Sequence, residues 1–236
     1  MTSSADQGPY RLRCEWGPDG GALVAAGADV AVVVDVCSFT TTTSVALDRG
    51  IAVIPSAVRA GPPGVVVAGR RAEGGLSLSP VSVRSAAVVP DVMVLPSPNG
   101  STISAALADR VPTVLAACLR NASAVAAWLA ARPELVVAVV PAGERWPDGG
   151  LRVAVEDLWG AGAVLSTLVG DSAAPEARVA AAAFDAVRPR LTAELRACAS
   201  GRELTELGFA ADVEVASELD TSTVVPLLVD GVFRAA

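Results

Sequence analysis

The stretch 30–39, Val-Ala-Val-Val-Val-Asp-Val-Cys-Ser-Phe, constrains this chain more than any other. An apolar run made almost wholly of valine ends in one carboxylate, Asp35. A strand of that composition belongs where both faces are covered, as in a parallel sheet flanked by helices. The hydroxyl-rich stretch 40–44 follows as a turn, and 45–50 reads as a short helix with Gly50 as its stop. Strand, polar turn and helix in this order build a site at the carboxyl end of the strand. Asp35 would sit where the run meets solvent, facing the N–H groups of the next helix. Such a helix start favours an anion, and the aspartate favours a cation, so a metal together with a phosphate would satisfy both. The plainer alternative is that Asp35 only ends a strand and that Ser38 or Thr40 only caps a helix.

The same pattern recurs along the chain. The segment 10–17 reads as a first strand closed by the turn Gly17-Pro18-Asp19-Gly20-Gly21, with a short helix or loop to Asp29. Further strands are expected at 51–55, 64–69, 91–96, 112–118 and 135–140. The loop after 64–69 carries Arg70 and Arg71 among glycines and serines, a position where loops carry function on such sheets. After 91–96 comes Ser97-Pro98-Asn99-Gly100-Ser101-Thr102, where Gly100 allows close backbone approach and the hydroxyls can cap a helix or grip an anion. The strand 135–140 delivers a third polar loop, with Glu144 and Arg145, and then a helix from Val155 with Glu156 and Asp157 in its first turn. The helix dipole favours both acids there. Residues adjacent in a helix point about 100° apart, so only one of them would touch a bound cation directly. An Ala-rich helical stretch runs from 173 to 195, ends over 196–200 and stops at Gly201. A short helix at 202–208 follows, and 224–233 reads as a final hairpin turning at Asp230-Gly231. Strands alternating with helices make this an α/β chain, and at 236 residues one domain over 1–236 is the expectation.

Composition narrows the function. The net charge of -7 argues against nucleic acid as a partner but permits a small anionic substrate where a metal or a few arginines reverse the sign locally. There is no lysine and no histidine, so catalysis must rest on Asp, Glu, Cys, Ser, Thr, Arg or a metal. No apolar stretch reaches the roughly 18 residues that span a bilayer, and residues 1–9 lack the basic start and apolar core of a signal peptide. A cytoplasmic protein without membrane contact is expected, and the apolar composition hints at a homodimer interface. The cysteines Cys14, Cys37, Cys118 and Cys198 are far apart and form no metal or redox motif. Cys37, beside Asp35 at a helix start, is a possible nucleophile, although packing at the strand end is the simpler role.

Taken in order, Val34-Asp35-Val36 with the threonine run, Gly69-Arg70-Arg71 with Leu78-Ser79-Pro80, and 97–102 resemble the 2-phosphosulfolactate phosphatase (ComB) family of coenzyme M biosynthesis. Ala142-Gly143-Glu144, Glu156-Asp157-Leu158, Ala161-Gly162, Leu207-Gly208 and Asp220 extend the resemblance over nearly the whole chain. It implies a three-layer α/β/α fold with a mostly parallel sheet, and a Mg²⁺-dependent phosphatase that hydrolyses 2-phosphosulfolactate or a similar small phosphorylated hydroxy acid. Asp35, Arg70 and Glu144 would then be catalytic. Asp35 with a carboxylate from Glu144, Glu156 or Asp157 would hold Mg²⁺, and Thr40, Thr41, Asn99, Gly100, Ser101 and Thr102 would bind the phosphate. The nucleophile is either water activated at the metal or Asp35 itself. Ser38 stands where the family carries arginine, Phe39 where it carries a small residue, and Leu78 where it carries asparagine. Serine cannot replace a guanidinium fork on a phosphate. The alternative is therefore a divergent member that takes another phosphate ester or only binds an anion, unless Arg70, Arg71 or Arg145 compensates.

Overall fold

The valine run does form a strand buried on both faces. In the computed structural model, which describes residues 4–236, Val30, Val32 and Val34 join one apolar core while Ala31 and Val33 join a second on the opposite face. The chain begins with β1 (Leu12–Cys14), α1 (Gly17–Val24), β2 (Val30–Val34), α2 (Phe39–Asp48), β3 (Ala52–Ser56) and β4 (Val66–Val67). It continues through α3 (Pro80–Arg84), β5 (Val92–Pro96), α4 (Gly100–Ala108), β6 (Thr113–Ala117), α5 (Ala122–Ala130) and β7 (Val137–Pro141). A two-stranded ribbon, β8 (Glu144–Arg145) and β9 (Leu151–Arg152), precedes α6 (Val155–Leu165) and α7 (Pro175–Val187). Then come α8 (Leu191–Ala197), α9 (Ala199–Glu206), α10 (Ala210–Ala216), β10 (Pro226–Val229) and β11 (Val232–Ala235).

Among the described residues the main sheet has nine strands in the order β1-β7-β2-β6-β10-β11-β3-β5-β4. β1, β7, β2 and β6 pair in parallel, as do β3, β5 and β4. The hairpin β10–β11 bridges the two groups with antiparallel pairings at Leu227↔Leu115 and Phe233↔Val53. Helices cover both faces: α5, α6, α7 and α8 contribute to the first core and α1, α2, α3 and α4 to the second. This is the three-layer α/β arrangement expected. The closing turn is also as expected, since Asp230 and Gly231 have φ of 50° and 76°, the left-handed pair that a two-residue hairpin turn requires. Among the described residues no helix is long and apolar enough to cross a membrane; the reading of 1–9 as no signal peptide falls in part on residues 1–3, outside the described residues.

Three local expectations are corrected. The segment 17–21 is not a turn but the start of α1; Pro18 is tolerated in a first helical turn, and Gly21 lets the helix lie on β7, since a Cβ there would come 2.8 Å from Val140 Cγ1. The threonines 40–43 lie inside α2 and are buried; burial on the sheet overrides their modest helix propensity. Gly201 does not end a helix. It lies in the first turn of α9, where a side chain would collide with the carbonyl of Leu195, so it serves close packing against α8.

Candidate functional site

The site lies where β2, β5 and β7 end. Asp35 follows the last residue of β2 and is 4% exposed. Its backbone N–H donates to Thr40 Oγ1 at 2.9 Å, and that hydroxyl donates back to Asp35 O at 2.8 Å. These bonds fix the bend between strand and helix. Asp35 Oδ2 accepts from Gly100 N at 3.0 Å and lies 3.5 Å from the Ser97 hydroxyl. Gly100 is required here because a Cβ would sit 2.6 Å from Asp35 Oδ2 and 2.8 Å from Phe39 Cδ1. The neighbouring residue, Asn99, donates Nδ2 to Glu144 Oε2 at 2.8 Å. Two successive residues at the start of α4 thus hold two carboxylates, one from the end of β2 and one from β8.

The acids interact. Burial and then the charge of Glu144 push Asp35 up to about 7, against the lowering influence of the Gly100 and Phe39 amides. Glu144 is half-buried and is also raised, by burial first, while the Asn99 amide opposes the shift. Asp157 is raised well above the ordinary value by burial and the charge of Asp35. Like charges held together out of water favour protonation or a cation.

Several expected residues have other partners. Asp157 Oδ1 accepts from Val36 N at 2.7 Å and Oδ2 from Gly143 N at 2.9 Å. It clamps the ends of β2 and β7 to the start of α6. Among the described residues no group of three or more Asp, Glu or Cys side chains is disposed to hold a metal ion, and both oxygens of Asp157 are taken by backbone amides. Glu156 is buried and faces Cys198. The hydroxyls expected to bind phosphate are likewise engaged by the chain itself. Thr41 Oγ1 donates to Val36 O, Ser101 Oγ to Ser56 O and Ser97 O, and Thr102 Oγ1 to Ser97 O. In first helical turns such hydroxyls satisfy nearby carbonyls.

Arg70 and Arg71 separate. The side chain of Arg70 is 72% exposed and points to Glu73. Arg71 turns inward, donating to Cys37 O at 2.9 Å, Leu78 O at 3.3 Å and Asp212 Oδ2 at 3.2 Å. Asp212, from the first turn of α10, also accepts from Ser79 Oγ at 2.5 Å and Val81 N at 3.3 Å. Sequence spacing carries no sign of this partnership, which joins residues far apart in the chain. Cys37 is buried in the first core at the edge of the cleft, and burial followed by the Glu156 charge holds its thiol well above its ordinary value, which favours packing over attack. All four cysteines are free.

The resulting cleft is open to solvent, with a volume of about 190 Å³, and Ser38, Arg71, Glu144, Arg152 and Ser200 line it. A second, more apolar hollow, also lined by Glu144, is formed by Trp16, Ile103 and Leu151. Glu144 faces both. The cleft sets the Glu144 carboxylate beside the guanidiniums of Arg71 and Arg152, and the buried Asp35 lies close enough to sense the Glu144 charge.

Comparison with known proteins identifies the family. Residues 67–231 match the family described as 2-phosphosulpholactate phosphatase, a segment that includes Arg71, Asn99, Gly100, Glu144, Arg152, Asp157 and Asp212. A curated protein of Deinococcus radiodurans, named probable 2-phosphosulfolactate phosphatase, is 33% identical over 238 aligned residues covering 94% of each chain. The chain belongs to the 2-phosphosulpholactate phosphatase family and is by that membership a phosphatase, a phosphoric monoester hydrolase.

Proposed function

We propose that this protein hydrolyses the phosphate ester of 2-phosphosulfolactate, or of a closely similar small hydroxy acid, in a Mg²⁺-dependent reaction. The observation that carries the reading is the pairing at the start of α4, where Gly100 N holds Asp35 and Asn99 Nδ2 holds Glu144, with Arg71 and Arg152 lining the same cleft as Glu144. Mg²⁺ is commonly bound by one or two carboxylates, with water and substrate phosphate completing its shell. Asp35 and Glu144 fit that need; Asp157, with both oxygens on backbone amides, does not. When bound, the ion would supply neutralising charge to the phosphoryl oxygens.

The protein's own groups do the rest. Arg71, fixed by Asp212 and two carbonyls, presents a preset positive charge to the cleft in the place expected of Arg70. Phosphoryl transfer passes through a loose transition state that asks for positioning and charge stabilisation more than for a strong base, so the lack of histidine is no obstacle. Asp35 is almost wholly buried with one oxygen held by Gly100, a setting that suits holding a cation better than attacking phosphorus. Water is therefore the nucleophile in this reading. The test is phosphate release from racemic 2-phosphosulfolactate with Mg²⁺ or EDTA, beside an Asp35→Asn control. Turnover that needs both Mg²⁺ and Asp35 would support the reading. Phosphate and Mg²⁺ binding without turnover would move the assignment to another phosphorylated acid.

A further inference from the structure

The two guanidiniums of the cleft are held in different ways. Arg71 is tied to a carboxylate and two carbonyls from three separate segments, so it meets an entering ligand only from a fixed position. Arg152, from β9, is gripped by one carboxylate: its Nη1 and Nη2 donate to Glu203 Oε1 and Oε2 at 2.7 and 2.8 Å. The Trp146 ring lies 5.7 Å from its guanidinium. The side chain of Arg152 is 17% exposed, whereas that of Glu203 is 53% exposed. Both line the cleft that holds Ser38 and Glu144.

An ion pair whose acid stands mostly in water adds little stability. Replacing the Glu203 carboxylate by another acid is therefore nearly neutral, and the guanidinium fork fits a planar carboxylate or a sulfonate equally well as a two-pronged partner. We propose that Arg152 is the specificity-determining residue that binds the non-reacting acid group of the substrate, and that Glu203 occupies its fork until the substrate displaces it. The proposal rests on the phosphatase reading of this cleft. It explains why an acidic side chain stands at the mouth of a site for anions: Glu203 keeps Arg152 oriented and admits only ligands with an acid group strong enough to exchange with it.

The test compares kcat/KM on 2-phosphosulfolactate with that on phenyl phosphate, which has no second acid group, in the wild type, Arg152→Gln and Glu203→Gln. It also measures binding of sulfoacetate to each protein by calorimetry. Arg152→Gln should lower the preference for the acid-bearing ester by roughly tenfold or more, the scale of one lost charge-assisted contact. Glu203→Gln should raise it about threefold, through KM rather than kcat, because the fork is vacated. Sulfoacetate should bind to the wild type, more tightly to Glu203→Gln, and weakly to Arg152→Gln. If neither variant changes the preference or the binding, the proposal is overturned while the phosphatase reading stands. If no ester is turned over yet sulfoacetate binding still follows Arg152, the role of Arg152 is upheld and the reaction is the part that falls.

Discussion

Asp35→Asn should stabilise the metal-free protein while abolishing its reaction. Burial, and then the charge of Glu144, raise the Asp35 carboxyl from 3.8 to about 7. A carboxyl with a folded value above its unfolded one destabilises the fold when charged. The cost is absent below the unfolded value, where both states are protonated, and it grows as pH rises until it is complete above about 7. The rise corresponds to at most about 4 kcal/mol, and local relaxation brings the measurable part to on the order of 2 kcal/mol. Asparagine keeps the shape and an oxygen for Gly100 N while carrying no charge. For a chain of this size ~2 kcal/mol is about 4–8 °C in melting temperature. Urea unfolding in EDTA should show the variant ahead of the wild type at pH 8, with the gap narrowing steadily toward pH 5. Mg²⁺ should raise the midpoint of the wild type and leave that of the variant unmoved. A variant less stable at pH 8, or a gap that ignores pH, would refute the argument that clustered acids strain this site.

Other expectations follow from named contacts. Gly100→Ala forces a methyl against Asp35 and Phe39; it should destabilise by ~1–3 kcal/mol in urea melts and reduce kcat. Arg71→Ala should cut kcat/KM by roughly tenfold or more, because a fixed positive charge is lost and Asp212 is left buried without it. The same assay on Arg70→Ala should stay within about twofold of wild type, since that side chain is exposed and turned away. Asp157→Ala orphans the amides of Val36 and Gly143 and should lower unfolding stability by ~2–4 kcal/mol, with Mg²⁺ affinity changed far less than in Asp35→Asn.

The local sequence determined a good deal by itself. An unbroken valine strand ending in Asp35 can be satisfied only inside a covered sheet, and Asp-Gly at 230–231 can hardly be read other than as a hairpin turn. These features are local: burial on both faces follows from the absence of polar side chains, and the left-handed turn follows from the backbone freedom of glycine. The placement of Asn99 and Gly100 between a strand and a helix was legible for the same reason. Their role was not, because it depends on which groups stand opposite. Only the tertiary structure brings Glu144 and Asp35 within reach of successive residues, so that the loop expected to cradle phosphate also holds carboxylates. The carbonyl partners of the Thr41, Ser101 and Thr102 hydroxyls were not legible either, although a helix start offers such hydroxyls carbonyls at once. That Arg71 and not Arg70 turns inward has the plainest cause: neighbours in a loop share a sequence signal but not a direction. The partners that chose between them, Asp212 and the carbonyl of Cys37, lie in segments that only folding brings together. The position of the hairpin β10–β11 between β6 and β3 was equally hidden, since strand order is fixed by long-range pairing and by how helices cover the sheet, and neither leaves a mark on the residues of the hairpin itself.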